Sequence, residues 1–293
     1  MVTLANALVE FYQHVFIDIA DERTNNFFLI RSPLPVLMIL VCYVHFVTNL
    51  GPRWMKRRQP FNLKSIMIVY NIIQILINSF LFVEAFRHGW GGQYNWICQP
   101  IDWSDTPFNK YVVSLCYLYF VIKMVDLLDT IFMVLRKKDD HISFLHVYHH
   151  TGMCALAWGG VKYLPGGHGT FLGFINTFVH AVMYGYYLFA TIYPENSGKN
   201  WWKKYLTQLQ MAQFLMVAVH MLLLLFQPNC SYPKFTVFIL TPQNIFMFIL
   251  FCDFYRKTYL KPKTPKLDKN GVSKSNGTSS NGVTKNGEKI HAN

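Results

Sequence analysis

Residues 111–135 read YVVSLCYLYFVIKMVDLLDTIFMVL, an apolar run interrupted by the charged side chains of Lys123, Asp126 and Asp129. An α-helix rises about 1.5 Å per residue, so a run of this length crosses the hydrocarbon core of a bilayer. A membrane-spanning strand needs only about ten residues, and the length therefore favours a helix. The stretch predicts a transmembrane helix that carries charged groups.

The composition of the whole chain has the same character. Of 293 residues, 52% are hydrophobic and 14% are charged, whereas a soluble domain carries about 25% charged residues. The net charge is +12, but the segment 256–293 contributes nine Lys and Arg against two acidic residues. The low charged fraction does not favour a soluble enzyme. Because the basicity is concentrated in one tail, a nucleic-acid-binding surface is not favoured either.

Seven apolar blocks are long enough to span a membrane, and every face of each block is hydrophobic. We predict an all-α polytopic membrane protein with seven transmembrane helices. The blocks are 34–50, 65–86, 111–135, 142–163, 169–193, 205–226 and 235–255.

The basic residues predict the orientation. The loops after the first, third and fifth spans and the C-terminal tail hold 20 Lys and Arg, and the opposite side holds six. Positive charge marks the cytosolic side, so the C-terminus is expected in the cytosol. We therefore expect a luminal N-terminal segment (1–33), a seven-helix transmembrane catalytic domain (34–260) and a disordered cytosolic tail (261–293).

Two cysteines fall in loops on the non-cytosolic side. Cys98 follows the second span and Cys230 follows the sixth. If that side is oxidising, as in the lumen of the endoplasmic reticulum, the two are a candidate disulfide. The alternative is a pair of free thiols too far apart to bond.

Polar side chains recur within the spans at helical spacing. Lys123, Asp126 and Asp129 trace one stripe, which is also compatible with a structural salt bridge between helices. Ionisable residues inside a membrane are costly and are candidates for function. The other clusters are His146, His149 and His150 on the fourth span, Asn176, His180 and Tyr187 on the fifth, Gln210 and Gln213 on the sixth, and Asn71, Gln74 and Asn78 on the second.

All these clusters lie in the cytosolic halves of their spans, while the luminal halves are nearly pure Leu, Ile, Phe, Val and Met. We therefore predict helices that enclose a tunnel, polar at the cytosolic mouth and closed at the luminal end. Such a tunnel suits a molecule with a charged head and a long alkyl tail. Its depth is expected to depend on aromatic side chains such as Trp158, Phe171, Phe174 and Phe226.

Histidine supports two kinds of chemistry here. A di-iron oxygenase needs several histidine boxes, whereas the chain has one. A site for a single zinc ion is not excluded by the sequence. Without a metal, a neutral imidazole can attack a thioester and form an activated acyl-imidazole. Asp126 or Asp129 would then hydrogen-bond one nitrogen of the attacking ring and fix its tautomer. We assign no metal ligands.

Four ordered motifs make the chain resemble the elongases of very-long-chain fatty acids, membrane-embedded condensing enzymes of the endoplasmic reticulum. His146-Val-Tyr-His149-His150 is similar to the family's histidine box. Residues 123–130 are similar to its K-x-x-E-x-x-D-T element, with Asp126 in place of the glutamate. Residues 176–187 and 207–213 are similar to its N-x-x-x-H-x-x-M-Y-x-Y-Y and T-x-x-Q-x-x-Q elements.

The resemblance implies condensation of a long-chain acyl-CoA with malonyl-CoA to 3-oxoacyl-CoA, carbon dioxide and CoA, with no cofactor beyond these substrates. His149 would carry the acyl group, and His180, Asn176 and Tyr187 would hold the reacting oxygens. His146, His150, Asp126 and Asp129 complete the expected catalytic set. The expected substrate contacts are Lys123, Gln210 and Gln213, with Arg136, Lys137, Lys203 and Lys204 either binding CoA phosphates or only setting the topology.

Two other function classes stay open at this point: a membrane transporter of a lipid or acyl-CoA, and a metal-dependent membrane oxidoreductase. The chain shows no doubled segment pattern of the kind that marks alternating-access transporters. The expected partners are the two CoA thioesters, the lipid bilayer, other enzymes of the elongation cycle and a second copy of the chain. No nucleic acid is expected.

Overall fold

The computed structural model describes residues 4–195 and 200–260, except for the side chains of residues 200 and 201. All regular elements in these ranges are helical, which confirms the all-α prediction. The predicted tail, 261–293, lies outside the described residues. The α-helices are α1 (Leu4–Gln13), α2 (Pro33–His45), α3 (Gly51–Met55), α4 (Lys64–Ala85), α5 (Pro107–Leu135), α6 (Phe144–Tyr163), α7 (Thr170–Ile192), α8 (Asn200–Leu223) and α9 (Phe235–Tyr255).

The helix starts follow from local capping chemistry. The α5 helix begins four residues before the predicted block because Thr106 caps it, accepting a hydrogen bond from the Asn109 backbone, and proline occupies the first turn. Ser143 caps α6 in the same way through the backbone N–H of His146. This cap fixes where α6 begins and places His146 in its first turn.

Within the described ranges, four helical segments are long and apolar enough to cross a membrane: Pro33–Met55, Lys64–Trp90, Trp202–Phe226 and Phe235–Leu260. In the first, α2 and α3 run on through one π-helical turn, Phe46–Leu50. The chain is thus a polytopic membrane protein. The helices α5, α6 and α7 are not among these four, so the number seven stays a prediction.

Six helices form a closed ring in the order α4, α7, α8, α9, α6 and α5, and α2 packs outside it against α6. The outer faces carry exposed apolar side chains, such as Val69 and Leu76 on α4. The inner faces bury polar ones, such as Gln74 on the same helix. A membrane protein satisfies its polar groups internally in this way, because lipid offers them no hydrogen-bond partners.

The N-terminal segment ties the ends of α5 and α6 together. The Arg23 guanidinium pairs with Asp21 at 2.6 Å and donates to the carbonyls of Asp102 and Ser104. The buried Lys162 donates to the Asn25 side chain at 3.2 Å, and its carbonyl accepts from the Asp21 backbone. These contacts hold residues 21–31 against the ring.

A disulfide joins Cys98 to Cys230, with their Cα atoms 5.8 Å apart. It links the loop before α5 to the loop before α9, and the two half-cystines lie 132 positions apart in sequence. Beside it, the backbone N–H of His168 donates to the Gln99 carbonyl at 2.8 Å. The loops at this end of the ring are therefore cross-linked both covalently and by hydrogen bonds.

A cavity of about 790 Å³ lies within the ring in the halves of the helices that end at these loops. Its lining is mostly apolar and comes from α4, α5, α6, α7 and α9. Val15 and Ile19 of the N-terminal segment also line it. The luminal closure of the tunnel stays a prediction, which this placement of the N-terminal segment supports.

Of the four aromatic residues expected to set the cavity depth, the structure places Phe174 in the lining. The expectation was wrong for the other three. The Trp158 indole donates to the Leu29 carbonyl, Phe171 stacks on His220, and the side chain of Phe226 is exposed. An apolar helix offers no sequence signal that separates cavity-facing from neighbour-facing aromatic side chains.

The disulfide gives a stability prediction. Replacing Cys98 or Cys230 with alanine should lower the free energy of unfolding by about 2–5 kcal/mol, because the cross-link restricts a long loop in the unfolded chain. Thermal unfolding of detergent-solubilised protein measures this. The double variant should match either single variant, and Cys42→Ala, which removes an exposed free cysteine, is the control. Single variants as stable as this control would contradict the prediction.

Candidate active site

The centre of the site is a buried ion pair within α5. The Lys123 ammonium lies 2.9 Å from Asp126 Oδ2, and each side chain is 2% exposed. Residues three apart share a helix face, so the pairing follows directly from the spacing seen in the sequence. A buried charge is tolerated only when its partners satisfy it, which makes the remaining contacts of Asp126 informative.

Two further helices supply those contacts. The Gln74 amide of α4 donates to Asp126 Oδ1 at 2.8 Å, and the Tyr184 hydroxyl of α7 lies 3.0 Å from the same oxygen. Tyr184 also lies 2.6 Å from Asp129 Oδ2. Tyr70 of α4 supports this group, since it lies 2.9 Å from the Gln74 amide nitrogen. One carboxylate thus joins α4, α5 and α7.

His180 of α7 lies against the ion pair. Its Nδ1 is 3.4 Å from the Lys123 ammonium and 3.6 Å from Asp126 Oδ2. An ammonium can only donate, so Nδ1 accepts from Lys123 in the neutral ring. We infer from this contact that the proton of neutral His180 resides on Nε2, which is then a hydrogen-bond donor.

The histidine box forms a second group on α6. The ring centroids of His146 and His150 are 4.3 Å apart, and those of His149 and His150 are 5.7 Å apart. Phe214 of α8 packs edge-on against His149 at 5.9 Å. In the described part of the chain, His149 Nδ1 and His146 Nε2 have no hydrogen-bond partner.

We expected Asp126 or Asp129 to hydrogen-bond a ring of the box, and the structure differs. Asp126 is engaged by Lys123, Gln74 and Tyr184, and the nearest imidazole to it is that of His180. The carboxylates therefore orient α7 rather than α6. The spacing within α5 could not show this, because it does not reveal which neighbour the stripe faces.

The box and the ion pair nevertheless belong to one site. Cys154, one turn beyond His150, donates from its thiol to the Lys123 carbonyl at 3.1 Å. The thiol thus joins the helix of the box, α6, to the helix of the ion pair, α5, within one buried region.

A row of amides borders this region. The Tyr119 hydroxyl donates to Asn176 Oδ1 at 3.0 Å, and the Asn176 amide lies 3.5 Å from Gln213 Oε1. Gln210 contacts the sulfur of Met183 at 3.5 Å. Tyr119 also lines the cavity, and the Lys123 ammonium lies 5.0 Å from its ring centroid. Tyr119 therefore marks the junction between the polar site and the apolar cavity.

Tyr187, Arg136 and Lys204 are further residues predicted for the site. Tyr187 is half-buried and packs edge-on against Tyr184 at 5.9 Å. The Arg136 guanidinium donates to the sulfur of Met67 at 3.0 Å, and Lys204 is half-buried. The binding of CoA phosphates by Arg136 and Lys204 stays a prediction.

Our reading of the sequence left Tyr70 and Tyr119 out of the site. Each precedes a polar residue of the site by four positions, Tyr70 before Gln74 and Tyr119 before Lys123, and so shares its helix face. That spacing was the available signal. Within the described residues, no three His, Cys, Asp or Glu side chains are grouped closely enough to bind one metal ion.

The ion pair gives a second stability prediction. Lys123→Met should destabilise the protein by roughly 3–5 kcal/mol, because it leaves Asp126 buried without its cation. The double variant Lys123→Met/Asp126→Leu should recover much of the loss. Thermal unfolding in detergent measures both, with Lys110→Met as control, since Lys110 pairs with Asp105 at the exposed start of α5. A single variant as stable as the control would contradict the prediction.

Comparisons with known proteins bear on what this site does. Very long chain fatty acid elongase 4 of Macaca mulatta is 42% identical over 283 residues, covering 97% of this chain and 88% of that protein. The Homo sapiens elongase 4 is 41% identical with the same coverage. Very long chain fatty acid elongase 7 of Rattus norvegicus is 43% identical over 275 residues, covering 93% and 97%.

These relatives confirm the resemblance that the four motifs indicated. The model of the family described as GNS1/SUR4 matches residues 28–267, which is most of the chain. The chain therefore belongs to this family, abbreviated ELO.

Proposed function

We propose that this protein is an acyltransferase that condenses a long-chain fatty acyl-CoA with malonyl-CoA, giving 3-oxoacyl-CoA, carbon dioxide and CoA. This is the first step of fatty-acid elongation. One observation carries the proposal: a buried group of imidazoles, carboxylates and amides borders a large apolar cavity, and Tyr119 belongs to both. A thioester with a long alkyl chain needs both environments, one for the reacting carbonyl and one for the tail.

In the first stage, an unprotonated ring nitrogen of His149 attacks the thioester carbonyl carbon. The C–S bond breaks, CoA leaves as the thiol with the proton from the ring, and an acyl-imidazole remains. Support comes from His149 Nδ1, which is buried without a hydrogen-bond partner among the described residues, and from Phe214 of α8, which packs edge-on against the ring. His150 packs edge-on against this ring, and His146 packs against His150 in turn.

In the second stage, malonyl-CoA loses carbon dioxide and becomes an enolate. The enolate carbon attacks the acyl carbon, the C–N bond to His149 breaks, and the imidazole takes up one proton. Negative charge develops on oxygen in this stage, so fixed donors accelerate it. The Nε2–H of His180 is suited to that role because Lys123 and Asp126 hold the ring, with the amide of Asn176 and the hydroxyl of Tyr187 as further donors.

We place the enzyme in the membrane of the endoplasmic reticulum with a cytosolic C-terminus. The positive charges in the cytosolic loops support this orientation, and the disulfide suits an oxidising lumen. The CoA phosphates then lie at the cytosolic mouth, near Arg136 and Lys204. Association with other elongation enzymes and formation of a homodimer stay predictions.

The activity of the histidine box tests the proposal. Purified wild-type protein should form 3-oxoacyl-CoA from stearoyl-CoA and malonyl-CoA, and His149→Ala should lower the rate by roughly 10²-fold or more, because the nucleophile is lost. Mass spectrometry of the products measures this, and His141→Ala, an exposed histidine of the preceding loop, is the control. A wild-type protein that moves acyl-CoA across vesicles without condensing it would favour the transporter alternative.

His180 should separate the two stages. His180→Gln should slow condensation more than acyl transfer, because the donor acts on oxygens of the second stage. Intact-mass spectrometry after mixing with acyl-CoA alone should then show an acyl adduct, and the adduct should persist longer than in wild type when malonyl-CoA is added. Equal loss of adduct formation and condensation would contradict this division of roles.

A further inference from the structure

A second polar group lies at the other end of the cavity, away from the reaction site. Glu84 occupies the last turn of α4 and lines the cavity together with His88. Glu84 is ten residues beyond Gln74 on α4, which corresponds to about 15 Å along the helix axis. Neither residue takes part in the mechanism proposed above.

The contacts of Glu84 leave one of its oxygens unused. The Tyr111 hydroxyl of α5 donates to Oε2, and His88 Nε2 lies 3.3 Å from the same atom. Within the part of the chain that the structure describes, no group donates to Oε1. The side chain is 11% exposed, so this oxygen belongs to a largely buried carboxylate.

The surroundings make this carboxylate distinctive. Among the described residues that line the cavity, Glu84 is the only carboxylate. The lining near it is apolar, with Leu81 and Ala85 close to it in sequence on α4 and Leu115 one turn beyond Tyr111 on α5. A terminal methyl group offers this carboxylate no hydrogen bond, whereas a hydroxyl group does, and a negatively charged terminus is repelled.

We propose that Glu84 is a recognition site for a hydroxyl group at the ω end of the acyl chain, so that ω-hydroxyacyl-CoA is a favoured substrate. This inference rests on the proposed function, in which the thioester reacts beside Lys123 and the tail runs through the cavity. The ω-hydroxyl donates to Glu84 Oε1, while Tyr111 and His88 hold the carboxylate through Oε2. Selectivity is therefore greatest at the chain length that places the ω carbon beside Glu84.

The test compares saturated acyl-CoAs from lauroyl to arachidoyl, each unsubstituted, with an ω-hydroxyl or with an ω-carboxyl group. The quantity measured is kcat/KM of the purified full-length protein for condensation with malonyl-CoA. At the chain length that places the ω carbon beside Glu84, Glu84→Leu should lower the ratio of kcat/KM for the ω-hydroxy substrate to kcat/KM for the unsubstituted substrate. The expected decrease is roughly tenfold or more, which is the effect of one hydrogen bond to a charged group. Glu84→Gln should raise the relative use of the ω-carboxyl substrate.

Two control variants distinguish recognition from a structural role. Tyr111→Phe removes the hydrogen bond between α4 and α5 but keeps the carboxylate and its contact with His88, so it should retain most of the wild-type ratio. Asp105→Leu removes an exposed carboxylate of the loop before α5 and should also retain it. If Glu84→Leu does not fold, the near-isosteric Glu84→Gln decides through the ω-carboxyl substrate.

The possible failures are distinguishable. Ratios that are equal in wild type, Glu84→Leu and Glu84→Gln at every chain length overturn the inference while leaving the proposed function intact. The inference is also overturned if Tyr111→Phe lowers the ratio as much as Glu84→Leu does, because Glu84 then acts only by linking α4 to α5 through Tyr111. A wild-type protein that elongates none of the acyl-CoAs overturns the proposed function, and this inference with it.

Discussion

The buried carboxylate of Asp126 is the interaction on which the arrangement of the site depends. The bilayer core contains no water to solvate this charge, so other groups of the protein must pair with it or hydrogen-bond to it. Lys123, Gln74 and Tyr184 do so from three helices, which fixes how α4, α5 and α7 are rotated toward one another. The ion pair at the centre of these contacts also lies against the His180 ring of α7.

The polar site and the apolar cavity adjoin each other. Tyr119 lies at their boundary, with its hydroxyl on Asn176 and its ring beside Lys123. Under the proposed function, an alkyl tail in the cavity places the thioester beside the imidazoles. The disulfide and the N-terminal segment brace the opposite end of the ring, where the cavity is lined by Val15 and Ile19.

Helical periodicity predicted the helices, the Lys123–Asp126 pair and the shared face of the histidine box, because each depends on residues close in sequence. It did not predict which helix the Asp126 carboxylate contacts, nor that Phe171 packs on His220 instead of lining the cavity. Helices that are apolar on every side carry little information about their neighbours. Tertiary packing decides such orientations. A polar residue indicates the orientation of its helix only where it is buried and needs a hydrogen-bonding partner.

The central claim, that the acyl tail lies in the cavity below the polar site, is tested most directly by photo-crosslinking. A long-chain acyl-CoA with a diazirine in mid-chain is bound to the purified protein, irradiated, and the labelled residues are identified by mass spectrometry. The account predicts labelling of cavity-lining residues such as Leu81, Leu115 and Met153. Labelling confined to lipid-facing residues of the same helices, such as Val69 and Leu76 of α4, would contradict it.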